Sequence, residues 1–215
     1  MALAFVATKG KAGTNKVDAF EYKDGENVVR IFGGVLPRYV YWLKGTNGKD
    51  IPVECLAFNR DKEKFDNAEV DHVTEYYPDK KCSWAYSVNC IDIKNGKVVA
   101  LNLKKKLFEQ IISLAGDLES DPTDPDTGFD IVFKRTKTGP LPFNVEYTLS
   151  QIKSKKRSLN DAEREMIAAS KDIDSKFPRS TADEVKASLE KILNGSTPEE
   201  EVPTGTDSEA IKDLA

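Results

Sequence analysis

Between residues 27 and 103, apolar and polar positions alternate with a period of two over several short runs, the mark of half-buried strands. Asn27–Phe32 (NVVRIF), Arg38–Lys44 (RYVYWLK) and Ile51–Phe58 (IPVECLAF) predict three of them. Pro37 suits a strand start, where no ladder donor is needed, and Gly45–Gly48 reads as a turn. Residues 59–81 have few periodic apolar positions and predict a long connection with room for one short helix. Trp84–Ile93 predicts a long strand and Val98–Leu103 another. Asn95-Gly96 between them is a hairpin signal, because a two-residue turn of the favoured type needs positive φ at both positions.

The period changes to 3.6 over Lys104–Leu118, where Leu107, Phe108, Ile111, Ile112 and Ala115 form one stripe. Residues 120–128 (SDPTDPDTG) read as a loop, and Phe129–Arg135 and Phe143–Leu149 as strands joined at Gly139-Pro140. After Ser150 the pattern is helical. Ser158 with Asp161 resembles a capping box, opening a helix with Ala162, Met166, Ala169, Ile173 and Phe177 on a weak apolar face, stopped by Pro178. Thr181 with Glu184 is a cleaner capping box. Val185, Leu189, Ile192 and Leu193 supply the stripe there, and Asn194-Gly195 the C-cap. The expected fold class is mainly β with appended helices (α+β). Its core is an OB-fold-like antiparallel barrel of five to seven strands, one closed solution to the edge-strand problem. Four segments follow: a flexible basic arm (1–20), the OB-fold-like core (21–157), a helical segment (158–195) and a disordered acidic tail (196–215).

Charge sharpens that division. The 215 residues carry 32 Lys+Arg and 36 Asp+Glu, a net charge of −4. Residues 1–157 hold 25 basic against 22 acidic residues, whereas residues 158–215 hold 7 against 14. The tail has six acids (Glu199, Glu200, Glu201, Asp207, Glu209, Asp213) and one lysine, Lys212. It also has two prolines and no aromatic residue, a composition too polar to fold alone. No run approaches the roughly 18 apolar residues of a membrane helix. The start, MALAFVATKGK, lacks the basic n-region of a signal peptide, so a cytoplasmic protein is expected. Cys55, Cys82 and Cys90 are odd in number and irregularly spaced, which predicts reduced thiols and no disulfide framework.

Most catalytic chemistries lack their residues. No phosphate loop of the G-x-x-x-x-G-K-[ST] type and no G-x-S-x-G elbow is present. His72 is the only histidine, which leaves little room for a base-activated nucleophile. Asp121, Asp124, Asp126 and Asp130 offer carboxylates, but the EF-hand register fails at Phe129 and Arg135. Cys55, His72, Cys82 and Cys90 lack the close pairs of a structural zinc site. Neither a metal nor a cofactor is expected, and no enzymatic activity. A metal-dependent nuclease using the Asp121–Asp130 carboxylates and a structural protein-binding module are the alternatives.

What remains is aromatics interleaved with bases. Arg30 and Phe32 share one strand face. Arg38, Tyr39, Tyr41, Trp42 and Lys44 crowd a second strand, and Trp84 and Tyr86 share a face of a third. Lys104, Lys105 and Lys106 follow a fourth, and Lys134, Arg135 and Lys137 end a fifth. A basic groove with aromatic platforms holds single-stranded nucleic acid without sequence preference, because every base has a π-face. The three lysines at 104–106 oppose the dipole of the helix they open, and a phosphate backbone would favour them there.

Three stretches carry a family resemblance: DGENVVRIFGGVLPRYVYW (24–42), YSVNCIDIKNGKVVALNLKKKLFEQI (86–111) and DPTDPDTGFDIVFKRTKTGPLPFNVEYTL (121–149). In this order they resemble phage single-stranded DNA-binding proteins related to the T-even helix-destabilising protein. The resemblance implies an OB-fold core that binds single-stranded DNA in replication, recombination and repair. It also implies an acidic tail that recruits phage or host replication and recombination proteins, and a place in the host cytoplasm. Self-association along DNA is compatible with that plan. The prototype's structural zinc, held by a close cysteine pair, is not carried over. The fifteen basic and aromatic residues named above are the expected DNA contacts, with only some of the aromatics facing the groove.

Overall fold

A computed structural model describes residues 17–45, 48–141 and 144–194. The arm before Val17 and the acidic tail lie outside the described residues. The chain forms β1 (Gly25–Leu36), β2 (Tyr39–Lys44), β3 (Asp50–Glu54), β4 (Phe58–Asn59), β5 (Lys64–Phe65), α1 (Val73–Tyr76), β6 (Ser83–Trp84), β7 (Ser87–Asp92) and β8 (Lys97–Asn102). It continues through α2 (Lys105–Leu118), β9 (Ile131–Lys137), β10 (Val145–Leu149), α3 (Asp161–Ala168), α4 (Ile173–Lys176) and α5 (Ala182–Leu193).

The main sheet has the order β10-β9-β1-β7-β8, antiparallel throughout. A β1-β7-β8 meander, a helix and a β9-β10 hairpin returning to β1 are consistent with an OB-like α+β fold. Period two assigns the faces. Val29, Ile31, Val88, Cys90, Leu101, Ile131 and Phe133 are all buried and belong to one core cluster. β1 bends at a register shift between Phe32 and Val35, where Gly33 sits at φ 71°. The two edge strands β8 and β10 do not pair in a ladder. α2 packs on β10 instead, and the Gln110 side chain bonds both the Leu149 N–H (2.8 Å) and the Tyr147 carbonyl (3.2 Å). Residues 18–20 cover the β8 edge: the Phe20 N–H donates to the Ala100 carbonyl and the Ala100 N–H to the Asp18 carbonyl, both 2.8 Å. The flexible arm expected over 1–20 thus gives way before Phe20, which is buried in the core.

Residues 37–86 are inserted between β1 and β7 and carry a small sheet, β3-β2-β6, and the two-stranded β4-β5. The connection expected at 59–81 therefore holds part of a hairpin besides its short helix. The strand expected over 84–93 is broken in two, because the Ala85 N–H turns to the Arg38 carbonyl (3.0 Å) and the strand changes sheets there. The β7-β8 turn is not the two-residue type. Asp92 and Lys97 are paired, leaving four residues between them. Of Asn95 and Gly96 only Gly96 has positive φ, 62°. The Asp92 carboxylate accepts from the Lys94 N–H at 3.0 Å and organises this longer turn.

The helices after Ser150 pack back on the sheet. α4 lies on β1 and β7, and α5 on α1. The first capping box is shifted from the expected Ser158–Asp161: Asn160 caps α3 with Glu163, a full-length partner where Asp161 is too short. The Thr181–Glu184 box at α5 is as expected.

Candidate nucleic-acid interface

Two aromatic clusters meet at the junction of β8 and α2. The first is built on the insert. Trp84 pairs with Tyr39 across β6 and β2, and the break at Ala85 leaves Trp84 stacked on Tyr86, with centroids 3.6 Å and planes 14° apart. Tyr39 meets Trp84 edge-on at 6.2 Å. β4 and β5 add Phe58 and Phe65, and α2 adds Phe108, 5.7 Å from Trp84. Phe65 is 50% exposed, and Tyr39, Trp84 and Phe108 are half-buried, so the cluster has an open side. Glu63 brings a carboxylate to it and accepts from the Tyr86 hydroxyl at 2.9 Å. Burial, reinforced by that carboxylate, pushes the Tyr86 phenol up.

The second cluster is on the main sheet. Phe20, Tyr22, Phe133 and Tyr147 pack at centroid distances of 5.0–6.4 Å. Consecutive carbonyls of one segment hold the two clusters together: the Tyr22 hydroxyl donates to Asn102 (2.6 Å) and the Trp84 indole N–H to Leu103 (2.9 Å). Lys104 follows, its ammonium 5.4 Å from the Tyr22 ring centre and 6.0 Å from that of Tyr147. Lys105 and Lys106 are exposed and make no ion pair among the described residues. α2 has no side-chain N-cap and no acid in its first turn. Three lysines around unsatisfied helix N–H groups are unfavourable by themselves and suit a bound anion. The result is an aromatic and basic strip that runs from Phe65 through Trp84 and Lys104–Lys106 to Tyr147.

Of the residues singled out in the sequence, the strip unites Tyr39, Trp84, Tyr86, Lys104, Lys105 and Lys106. Arg135 and Lys137 sit at its far end, Arg135 opposite Tyr147 in register, and both pair with Asp24. The others lie elsewhere. Arg30 is fully buried under the 120–130 loop. It donates to the Asp124 carbonyl (2.6 Å) and the Arg157 carbonyl (3.2 Å), and Asp130 is 3.7 Å away. A Cβ at Gly128 would collide with the Asp124 carbonyl and come within 2.9 Å of the Pro122 carbonyl, besides meeting this guanidinium at 2.7 Å, which is why the loop needs glycine there. Arg38 lies 3.9 Å over the Phe177 ring, and burial pulls its guanidinium down to about 10. Phe32 is buried beside α4, and Tyr41 is buried with its hydroxyl on Asp71 (2.9 Å). Trp42 and Lys44 share the β2 face opposite Tyr39, and Lys44 pairs with Asp50 at 2.8 Å. Lys134 points from the main sheet on the side away from Tyr147.

Tyr22, Tyr147, Phe65 and Phe108 belong to the strip but are not legible as such in the sequence. Phe108 reads as core by helical spacing, and the other three reach the strip only through tertiary pairing. The carboxylates of the 121–130 loop are engaged internally. Asp121 accepts from Thr123 and Asp124 from Asp126 and Thr127, while Asp126 pairs with Arg164 and Asp130 with Arg157. Cys55 contacts Asp71, His72 pairs with Glu75, and Cys90 is buried in the main sheet. Among the described residues no group of three His, Cys, Asp or Glu side chains is placed to hold a metal ion.

No family model matches the chain. It is similar to a protein of Escherichia phage T5 named "Probable ssDNA-binding protein", with 33% identity over 190 residues, 80% of this chain and 71% of that protein.

Proposed function

The chain belongs to the family of that phage T5 probable ssDNA-binding protein, and from this premise we propose that it binds single-stranded DNA along the aromatic and basic strip. The observation that carries the reading is the strip itself: half-exposed rings on either side of a lysine-rich, uncapped helix start. Phosphates lie against Lys104, Lys105 and Lys106, and bases stack on Trp84, Tyr39, Phe65 and Tyr147. Both interactions are indifferent to base order. The protein acts by binding, with no chemical step and no metal or cofactor. It protects single strands during phage replication, recombination and repair in the host cytoplasm. The acidic tail at 196–215 recruits replication and recombination proteins and competes for the basic surface when DNA is absent. Among the described residues no helix is long and apolar enough to cross a membrane.

The test compares oligo-dT with a duplex of equal length, in parent protein and in Lys105→Glu/Lys106→Glu. Binding of dT that exceeds duplex binding and falls at least tenfold in the variant, at unchanged melting temperature, supports the strip. Equal binding by parent and variant refutes it. Cleavage of either DNA on adding Mg²⁺ would favour the nuclease alternative.

A further inference from the structure

The opposite face of the main sheet carries a second basic surface. Lys134 on β9 pairs in register with Glu26 on β1 and Thr148 on β10, one residue out of phase with Phe133 and Arg135. Its side chain therefore leaves the sheet on the side away from the strip. Lys153 ion-pairs with the Glu26 carboxylate, and the Lys94 ammonium donates to the Glu26 carbonyl. The chain after β10 is fixed beside β9, with the Ser150 N–H on the Val132 carbonyl (2.7 Å) and the Val132 N–H on Ser154 Oγ (3.0 Å). That segment presents Lys155 and Lys156, both exposed. One ammonium thus pairs with the Glu26 carboxylate, a second sits on its backbone carbonyl, Lys134 stands beside it in the ladder, and Lys155 and Lys156 follow; Glu146 on β10 is a second carboxylate on this side. The pairing with Lys153 holds the Glu26 carboxyl below its ordinary value. Among the described residues, none of the exposed large apolar side chains near this face is aromatic; the one within it is Ile152. The face can neutralise phosphates, and its described residues offer no exposed ring for stacking.

β10 is the edge strand of the sheet, and its consecutive residues Tyr147 and Thr148 point to opposite faces. The strip and the second surface are therefore separated by the thickness of one strand. We propose that a bound single strand stacks on the strip, turns over β10 at its Val145 end, beyond the Tyr147–Leu149 stretch of edge that Gln110 caps, and lays its phosphates along Lys134, Lys153 and Lys94. The site then has a stacking half and a purely electrostatic half. This rests on the strip being the DNA-binding surface, and the experiment separates the two claims.

Oligo-dT of about 6 and about 30 nucleotides, near the lower end of and well above the roughly 4–16 that one OB fold occludes, is titrated into full-length parent and into Lys94→Gln/Lys134→Gln/Lys153→Gln. The expected result is that the short oligonucleotide binds both proteins alike, within twofold, with the same tryptophan quenching. The long one binds the variant at least tenfold more weakly, and its log K against log salt slope is shallower by about 2, at roughly 0.7 per lost contact. If the triple variant melts early, the single variant Lys134→Gln must show a slope change of about 0.7 with the long oligonucleotide alone. Unchanged long-oligonucleotide binding overturns the wrapped path and leaves this face to an acidic protein. Equal weakening at both lengths overturns it too. Failure of the parent to bind the short oligonucleotide overturns the strip instead.

Discussion

Trp84→Ala removes the ring at the centre of the strip, and the structure predicts two separable losses. The indole stacks on Tyr86 at 3.6 Å, touches Tyr39 and Phe108, and donates a 2.9 Å hydrogen bond to the Leu103 carbonyl. A fully buried Trp→Ala costs about 3–5 kcal/mol. Trp84 is half-buried, so about half of that is expected, with about 1 kcal/mol of it from the hydrogen bond. The fold should lose about 1.5–2.5 kcal/mol and still form. If the open side of the ring is a base platform, binding loses a further 1–3 kcal/mol, or about 5- to 150-fold in Kd. Trp84→Phe separates the two, because it keeps a ring over Tyr86 and deletes only the N–H. It should cost about 1 kcal/mol of stability and much less affinity than alanine. Chemical denaturation gives the first quantity and fluorescence anisotropy with labelled oligo-dT the second, at a temperature where all three proteins are folded. Folded Trp84→Ala with the parent's affinity would refute the platform. Equal affinity loss in Trp84→Phe and Trp84→Ala would show that ring stacking is not what binds.

Lys105→Gln/Lys106→Gln should make the log K against log salt slope shallower by about 1.4, at roughly 0.7 per phosphate contact, with little change in melting temperature because both side chains are exposed. The Glu163 carboxyl is held below its ordinary value, first by its hydrogen bonds from Arg157 and against the cost of burial. A depressed acid contributes stability above the unfolded-state value near 4.5 and loses it as pH falls through the folded-state value. Glu163→Gln should therefore flatten the acid side of the stability–pH profile and cost about 1–3 kcal/mol at neutral pH, less than for a fully buried pair because Arg157 is 33% exposed. Deleting residues 196–215 should raise DNA affinity at low salt and leave it nearly unchanged at high salt, since a tethered polyanion competes by charge. Equal low-salt affinity with and without the tail would remove that competition.

The sheet was largely readable from the chain because strand signals are local. Alternation placed β2 and β8 within a residue and found the first half of β1, whose end past the Gly33 bend lies four residues beyond the expected Phe32, and helical spacing placed α2. Misreadings came where backbone partners are remote. Ala85 breaks the expected long strand because its N–H is claimed by Arg38, 47 residues away, and no local pattern encodes that bond. The site was half legible. Lys104–Lys106 and Trp84 declare themselves by composition, whereas Arg30 looks like a phosphate ligand and is instead the buried clamp of the 120–130 loop. Alternation says that Arg30 and Phe32 share a face, but not that a loop and a helix cover it. Tyr147 reaches the strip through its register with β9, and Tyr22 through its hydroxyl on the Asn102 carbonyl, neither of which a local pattern encodes.

The most direct test of the strip is a titration of the full-length protein with poly-dT at a series of salt concentrations, followed by tryptophan fluorescence. Quenching that is retained in Trp42→Phe reports whether a base approaches Trp84, and the salt slope counts the phosphates neutralised. Quenching at every salt concentration, with a log K against log salt slope of about −3 to −4, is the result expected for four to six cation contacts. A slope near zero, or binding without any change in tryptophan emission, would contradict single-strand binding on an aromatic and basic strip.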